Sequence, residues 1–295
     1  MSEKSYVKVF LGLQVYWNDR RHDAMFPSQE EFQSMVDTFV KSFLGHDGKE
    51  NYENGLFVEA VLYQHQNERN SMEKHKQFWL LMQDHEFLTA YLFQDYNFFP
   101  QIYGICGSLY GIEYAKPLSN NALLPFTFSW KERLTRAKDI VKYIELIEHG
   151  WIEPLHLCDV KHDHFGWRGD GKVVYLDLDA VLTESSLAKI MINTPNCQSN
   201  EDCTFFDCAG YCELSTNTCL SERMNTNLQV VCNKIFTGHS ESAFVRLAGL
   251  LVSPERDAFL SDAIDLCSTN KGMTAEAMIE ALEKAILIYE SKTTL

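Results

Sequence analysis

The apolar positions change period several times along the chain, and each change marks an element. Ser5 to Tyr16 is rich in Val, Phe, Tyr and Leu and reads as a strand. From Ser28 the spacing turns helical: Phe32, Met35, Val36, Phe39, Val40 and Phe43 share one face behind a capping box formed by Ser28 and Glu31. Gly45 to Gly55 is a loop by composition, Leu56 to Tyr63 is helical, and Gln64 to Lys76 is almost wholly polar. Phe78 to Phe93 is helical and apolar on one side. Phe99 to Ala115 holds two short β-rich runs around Gly107-Ser108 and predicts an antiparallel hairpin. A long amphipathic helix follows over Trp130 to Glu148, with Leu134, Ala137, Ile140, Val141, Ile144 and Ile147 inward and Gly150 as its stop.

Leu155-His156-Leu157-Cys158 and Val173-Val174-Tyr175-Leu176 are short apolar runs, and each ends in an aspartate, Asp159 and Asp177. Asp179 stands just beyond. Gly169-Asp170-Gly171 between the runs is a turn signal, so the pair reads as two strands joined by a tight connection. Leu228 to Leu251 and Arg256 to Cys267 read as helices. Thr274 caps a last one, whose buried face is Met278, Ala281, Leu282, Ala285 and Ile286. The order is strand, helix, hairpin, long helix, carboxylate-bearing strands and helical tail, a small mixed lobe before a mainly helical one.

Composition narrows the function classes. A net charge of −15 argues against a nucleic-acid partner, which needs clustered Lys and Arg. No apolar run reaches the ~18 residues of a membrane span. Of nine cysteines, Cys106, Cys158 and Cys267 stand apart, and six crowd into residues 197–232. That density points to disulfides and an oxidising compartment. Zinc is the weaker alternative, because the cluster has no C-x-x-C pair and no histidine. The pairing stays open. The start of the chain lacks a signal-peptide layout, so an oxidising destination predicts that an N-terminal piece is missing.

Several stretches together carry a resemblance. Pro100-QIYGICGSLYGIEYA resembles strands four and five of a protein-kinase small lobe, with Glu113-Tyr114-Ala115 at the hinge. The helix over 130–148 resembles the long helix before the catalytic loop. LCDVKHDH resembles the H-R-D-L-x-x-x-N motif, and Asp177-Leu178-Asp179 stands where D-F-G would be. More narrowly, LCDVKHDHFG, YLDLDAV, QDHEFLTAYLFQD and the run CQSNEDCTFFDCAGYCELSTNTC resemble the divergent protein kinase domain family: cysteine-rich, kinase-like proteins of the endoplasmic reticulum, usually type II membrane proteins.

The resemblance implies an α+β, protein-kinase-like fold with two lobes. Residues 1–115 would form a truncated N-lobe with a helical insert over about 45–95, and 116–295 a mainly helical C-lobe. A disulfide-rich insert, 197–232, would replace the activation segment. It implies ATP with Mg²⁺ or Mn²⁺ as cofactor and a protein or glycan hydroxyl as acceptor. Asp159 would orient that hydroxyl, Lys161 would sit by the transferred phosphate, and Asp177 would hold the cation. Lys8 would contact the α- and β-phosphates, paired with Glu31 or Glu30, and Glu113 and Ala115 would border the base.

The departures are specific. His164 replaces the cation-binding Asn, and imidazole favours softer ions than Mg²⁺. Cys158 replaces the Arg that links the catalytic loop to a phosphorylated activation segment, and Asp179 replaces the glycine of D-F-G. With those changes His164 and Asp179 join Asp177 as candidate metal ligands. No glycine-rich loop precedes Lys8 and no A-P-E motif follows. An EF-hand carried by some relatives would fall at Tyr63 to Lys74, where Lys74 takes the place of the acidic ligand, so no calcium is expected. Two other readings remain: a kinase-like scaffold without transfer, and a haloacid-dehalogenase-type phosphatase. The latter would use Asp177 as nucleophile and Asp179 as acid/base on a parallel sheet.

Overall fold

The computed structural model describes residues 28–45, 78–106, 109–118, 128–238, 249–269 and 272–293. Helix α1 (Gln29–Leu44) starts at a Ser28–Glu31 capping box, as its sequence predicts. It buries Phe32, Val36, Val40 and Leu44, and Phe32 and Phe39 meet the edge of the Trp79 ring. The helical stretch from Phe78 is broken, because Asp84 accepts from Phe87 N–H and opens a second helix, α2 (His85–Leu92). Strands β1 (Ile102–Cys106) and β2 (Leu109–Ile112) form the expected antiparallel hairpin. After β3 (Lys116–Pro117) comes α3 (Trp130–His149), capped by a Ser129–Glu132 box and buried along the predicted stripe.

The carboxylate-bearing strands pair differently from the sequence reading. β4 (Leu155–Leu157) and β6 (Val173–Tyr175) are not partners. β4 pairs with β7 (Val181–Thr183), while β6 pairs with β5 (Phe165–Trp167), across the Gly169-Asp170-Gly171 turn. Every strand pair among the described residues is antiparallel, so the parallel sheet that the phosphatase reading needs is not found among them. Helix α4 (Glu184–Ile192) follows β7, and Thr183 Oγ1 accepts from Ser186 N–H as its cap. That hydroxyl also donates to Leu44 O, and Ser186 Oγ donates to Phe43 O, so the end of α1 is spliced onto the start of α4. Gly45 ends α1 at φ 83°, and a Cβ there would lie 2.3 Å from Ser186 N.

The cysteine-rich segment forms a small sheet in the order β10-β9-β8, made of Thr204–Phe205 (β8), Cys208–Glu213 (β9) and Thr218–Arg223 (β10). Its cysteines are in disulfides, Cys197–Cys212 and Cys203–Cys219, not in a zinc site. Two of the three isolated cysteines are recruited as well: Cys158 pairs with Cys208, and Cys267 with Cys232, leaving Cys106 free and exposed. The helix expected from Leu228 is shorter. α5 (Asn227–Val231) passes into a π-helical turn, Cys232–Phe236. α6 (Ala258–Ser268) and α7 (Ala275–Thr293) complete the described chain, and α7 lays Met278, Leu282 and Ala285 into the same core as α3. No helix among the described residues is long and apolar enough to cross a membrane. Four disulfides suit an oxidising environment.

Candidate active site

Two strand pairings converge the candidate residues. The β4–β7 pairing brings the loop after β4 beside the segment before β7, where Cys158 N–H donates to Ala180 O at 3.0 Å. The β5–β6 hairpin is extended by Leu176 N–H to His164 O at 2.7 Å. Asp159, His164 and Asp177 thereby come together, each with one ligand atom within 4.8 Å of the others.

His164 is buried, and its Nδ1 lies 2.8 Å from the backbone carbonyl of Asp159. A carbonyl only accepts, so Nδ1 is the donor in that bond. Nε2 lies 3.1 Å from Asp177 Oδ2. Tyr175 O–H donates to the same Asp159 carbonyl, and Tyr143 O–H holds both Phe98 O and Tyr175 N–H, at 2.9 and 3.2 Å. Buried tyrosines thus fix the ring and the strand behind the site; burial pushes the Tyr175 hydroxyl well above its ordinary pKa, so it remains a donor.

The other candidates are distributed unevenly. Lys161 Nζ donates to Asp159 Oδ2 at 2.7 Å, and this bond raises the lysine pKa. Asp179 N–H donates to Asp177 Oδ1 at 3.4 Å, and its carboxyl is pushed up by burial and then by Asp177 and Asp84. Glu113 pairs with Arg168 Nε at 3.2 Å and accepts from Gln101 N–H, so its side chain braces the hairpin. Ala115 is buried. Glu31 Oε2 accepts from Ser28 N–H at 2.8 Å, the capping bond of α1. Glu30, beside it, is exposed. Lys8 and the region 63–74 lie outside the described residues.

Sequence reasoning missed Glu86. It sits in the first turn of α2, which a single 3-10 turn, Gln94–Tyr96, separates from the β1–β2 hairpin. Burial, then the carboxylates of Asp179, Asp177 and Asp84, push its pKa up to about 7. The available signal was the Asp84 cap, which starts a separate helix one residue before His85. A carboxyl with a raised folded-state pKa stabilises the fold below its unfolded value and loses that contribution as pH rises. Stability is therefore expected to fall between pH 4.5 and about 7, with Glu86→Gln flattening this slope in melting curves. An unchanged slope in the variant would remove Glu86 as its source.

Asn227 and Arg223 were missed too, because a single polar residue at the end of a strand or the start of a helix carries no periodic signal. Asn227 is fully buried; its Oδ1 accepts from Leu157 N–H at 2.9 Å and its Nδ2 donates to Leu155 O at 2.8 Å. Arg223 reaches Asn227 Oδ1 and His156 Nδ1, while His156 Nε2 pairs with Glu184. Burial draws the Arg223 pKa down to about 10, which leaves it a cation. Together they clamp β4, the strand that leads into the Asp159 loop.

A capped long helix, an antiparallel β1–β2 hairpin before it, and two aspartates with a histidine in the segments that follow paired strands after it are consistent with a protein-kinase-like domain of a divergent, disulfide-bonded kind. A family model described as the protein-kinase domain of FAM69 matches residues 78–270, about two thirds of the chain. The chain belongs to that family.

Proposed function

We propose that this domain binds ATP with a divalent cation and transfers its γ-phosphoryl group to a protein or glycan hydroxyl in the endoplasmic reticulum. The observation that carries the reading is the convergence of Asp159, His164 and Asp177 within 4.8 Å. The donor set fits a cation: two carboxylates, and an imidazole whose Nδ1–H is already given to a backbone carbonyl, the usual outer partner of a ligating histidine. Asp177 and His164 would hold the ion, with Asp179 beside them, and the bound ion would screen the phosphate charges.

The remaining roles fall to the chain. Asp159 orients the acceptor hydroxyl and takes its proton as the oxygen bonds to the γ-phosphorus. The bond from that phosphorus to the β-bridging oxygen breaks, and its electron pair leaves with ADP. Lys161, which donates to Asp159, would turn toward the transferred group. Glu86, rather than Glu31, is the acid suited to hold the phosphate-binding lysine, for which Lys8 is the candidate, because Glu86 is the one beside Asp177 and Asp179. Glu113 and Ala115 would border the base through their backbone.

An imidazole ligand favours Mn²⁺ over Mg²⁺. ATP with Mn²⁺ is expected to raise the melting temperature more than ATP with Mg²⁺, and Asp177→Ala to abolish both effects; at a hundredfold excess over Kd the gain is about 2.7 kcal/mol. No shift with either ion would sink the reading. The second reading, a scaffold that binds nucleotide without transfer, is favoured by one observation: Lys161 occupies an oxygen of Asp159. Stabilisation by nucleotide with no ADP formed in the presence of luminal proteins and glycans would select it.

A further inference from the structure

Asp159 lies between two peptide groups, and one residue of the cysteine-rich segment holds both. Asp207 follows Phe206 in the turn between β8 and β9, and Phe206 is held at φ 50°, a conformation that is costly for a bulky side chain. Asp207 N–H donates to Cys158 O at 2.7 Å, fixing the peptide before Asp159. Asp207 Oδ2 accepts from Val160 N–H at 2.7 Å, fixing the peptide after it. The carboxylate cannot swing away, because Lys234 Nζ contacts its two oxygens at 2.8 and 2.7 Å. Its own carbonyl accepts from Asn225 Nδ2 at 2.7 Å.

We propose that Asp207 is a positioning residue that aims the Asp159 carboxylate by gripping the peptides on either side of it. The inference rests on the phosphoryl-transfer reading for the purpose of that aim, though not for the grip itself. The Cys158–Cys208 disulfide beside it tethers the turn to the loop, but a tether through Cβ and Sγ leaves the peptide planes free to rock. A charge-assisted bond to Val160 N–H removes that freedom. Lys234 serves as the counterion that holds the Asp207 carboxylate in place.

The test uses the oxidised full chain with Asp207→Ala and Asp207→Asn, the latter keeping shape and one acceptor oxygen. Three quantities are read: amide hydrogen exchange over residues 157–165, Mn²⁺ affinity by electron paramagnetic resonance, and ATP turnover to ADP. The expected result is faster exchange at Val160 and turnover lowered about 10- to 100-fold in kcat, with KM for ATP unchanged and Asp207→Asn intermediate. Mn²⁺ affinity is expected to weaken in the same order. Unchanged loop exchange, or turnover in Asp207→Ala within about twofold of wild type, overturns the proposal; so does an equal loss in kcat, KM and melting temperature. If Asp207→Ala does not fold with the wild-type disulfides, Asp207→Asn decides alone. If the wild type forms no ADP, the transfer reading falls, and exchange with Mn²⁺ affinity still decides whether Asp207 sets the loop.

Discussion

The double substitution Cys158→Ala/Cys208→Ala is expected to lower folding stability by about 4 kcal/mol. The disulfide closes a sequence separation of 50, and releasing a loop of that length returns roughly this much conformational entropy to the unfolded chain. The melting temperature should fall by about 10 °C. The bond lies in a small cluster of its own, where Ala180, Leu182, Leu187, Met191 and Phe205 pack around it, so the loss opens the floor beneath the loop that bears Asp159. Removing both cysteines leaves the other three disulfides without a stray thiol to exchange with. Urea unfolding with disulfide mapping checks the outcome, and a change below about 1 kcal/mol would mean that packing alone holds the segment.

Arg133→Met carries the second large effect, about 4 kcal/mol. Arg133 is 1% exposed. Its Nε donates to Leu250 O at 2.6 Å, and one terminal nitrogen to Gly249 O at 3.0 Å and Val252 O at 2.7 Å. Methionine fills similar volume but removes the charged donor from three carbonyls; Gly249 O keeps its bond from Val252 N–H, and Leu250 O and Val252 O lose theirs at about 1–3 kcal/mol each before relaxation. Arg133→Lys should recover part of the loss, since one ammonium cannot reproduce the fork. A urea midpoint within error of wild type for Arg133→Met would show that water satisfies these carbonyls.

Both sites illustrate what the sequence could and could not reveal. The stripe from Leu134 to Ile147 repeats with the helical period, and the Ser28–Glu31 box is a local motif, so α3 and α1 were legible. Strand partnership was not. Two apolar runs around a glycine turn look like one hairpin, whereas β4 finds β7 and β6 finds β5, a choice made by tertiary packing. Cys158 and Cys267 looked isolated because distance along the chain says nothing about distance in space; their partners are 50 and 35 residues away. Asp159, Asp177 and His164 stood in motifs, and the fold brings them together. Glu86, Asp207 and Asn227 act through position alone, and only the fold makes them visible.

The splice between α1 and α4 has a practical corollary. The family match runs from 78 to 270, yet the fold is larger than that interval at both ends. Carbonyls of Phe43 and Leu44 accept hydrogen bonds from the hydroxyls of Ser186 and Thr183, a few residues past Asp179. At the other end α7 closes the long helix α3 from outside the interval. A polypeptide trimmed to the matched boundaries would strip both faces bare. The unit that folds, and therefore the unit that can be inherited, exchanged or expressed intact, includes residues 28–45 and 275–293.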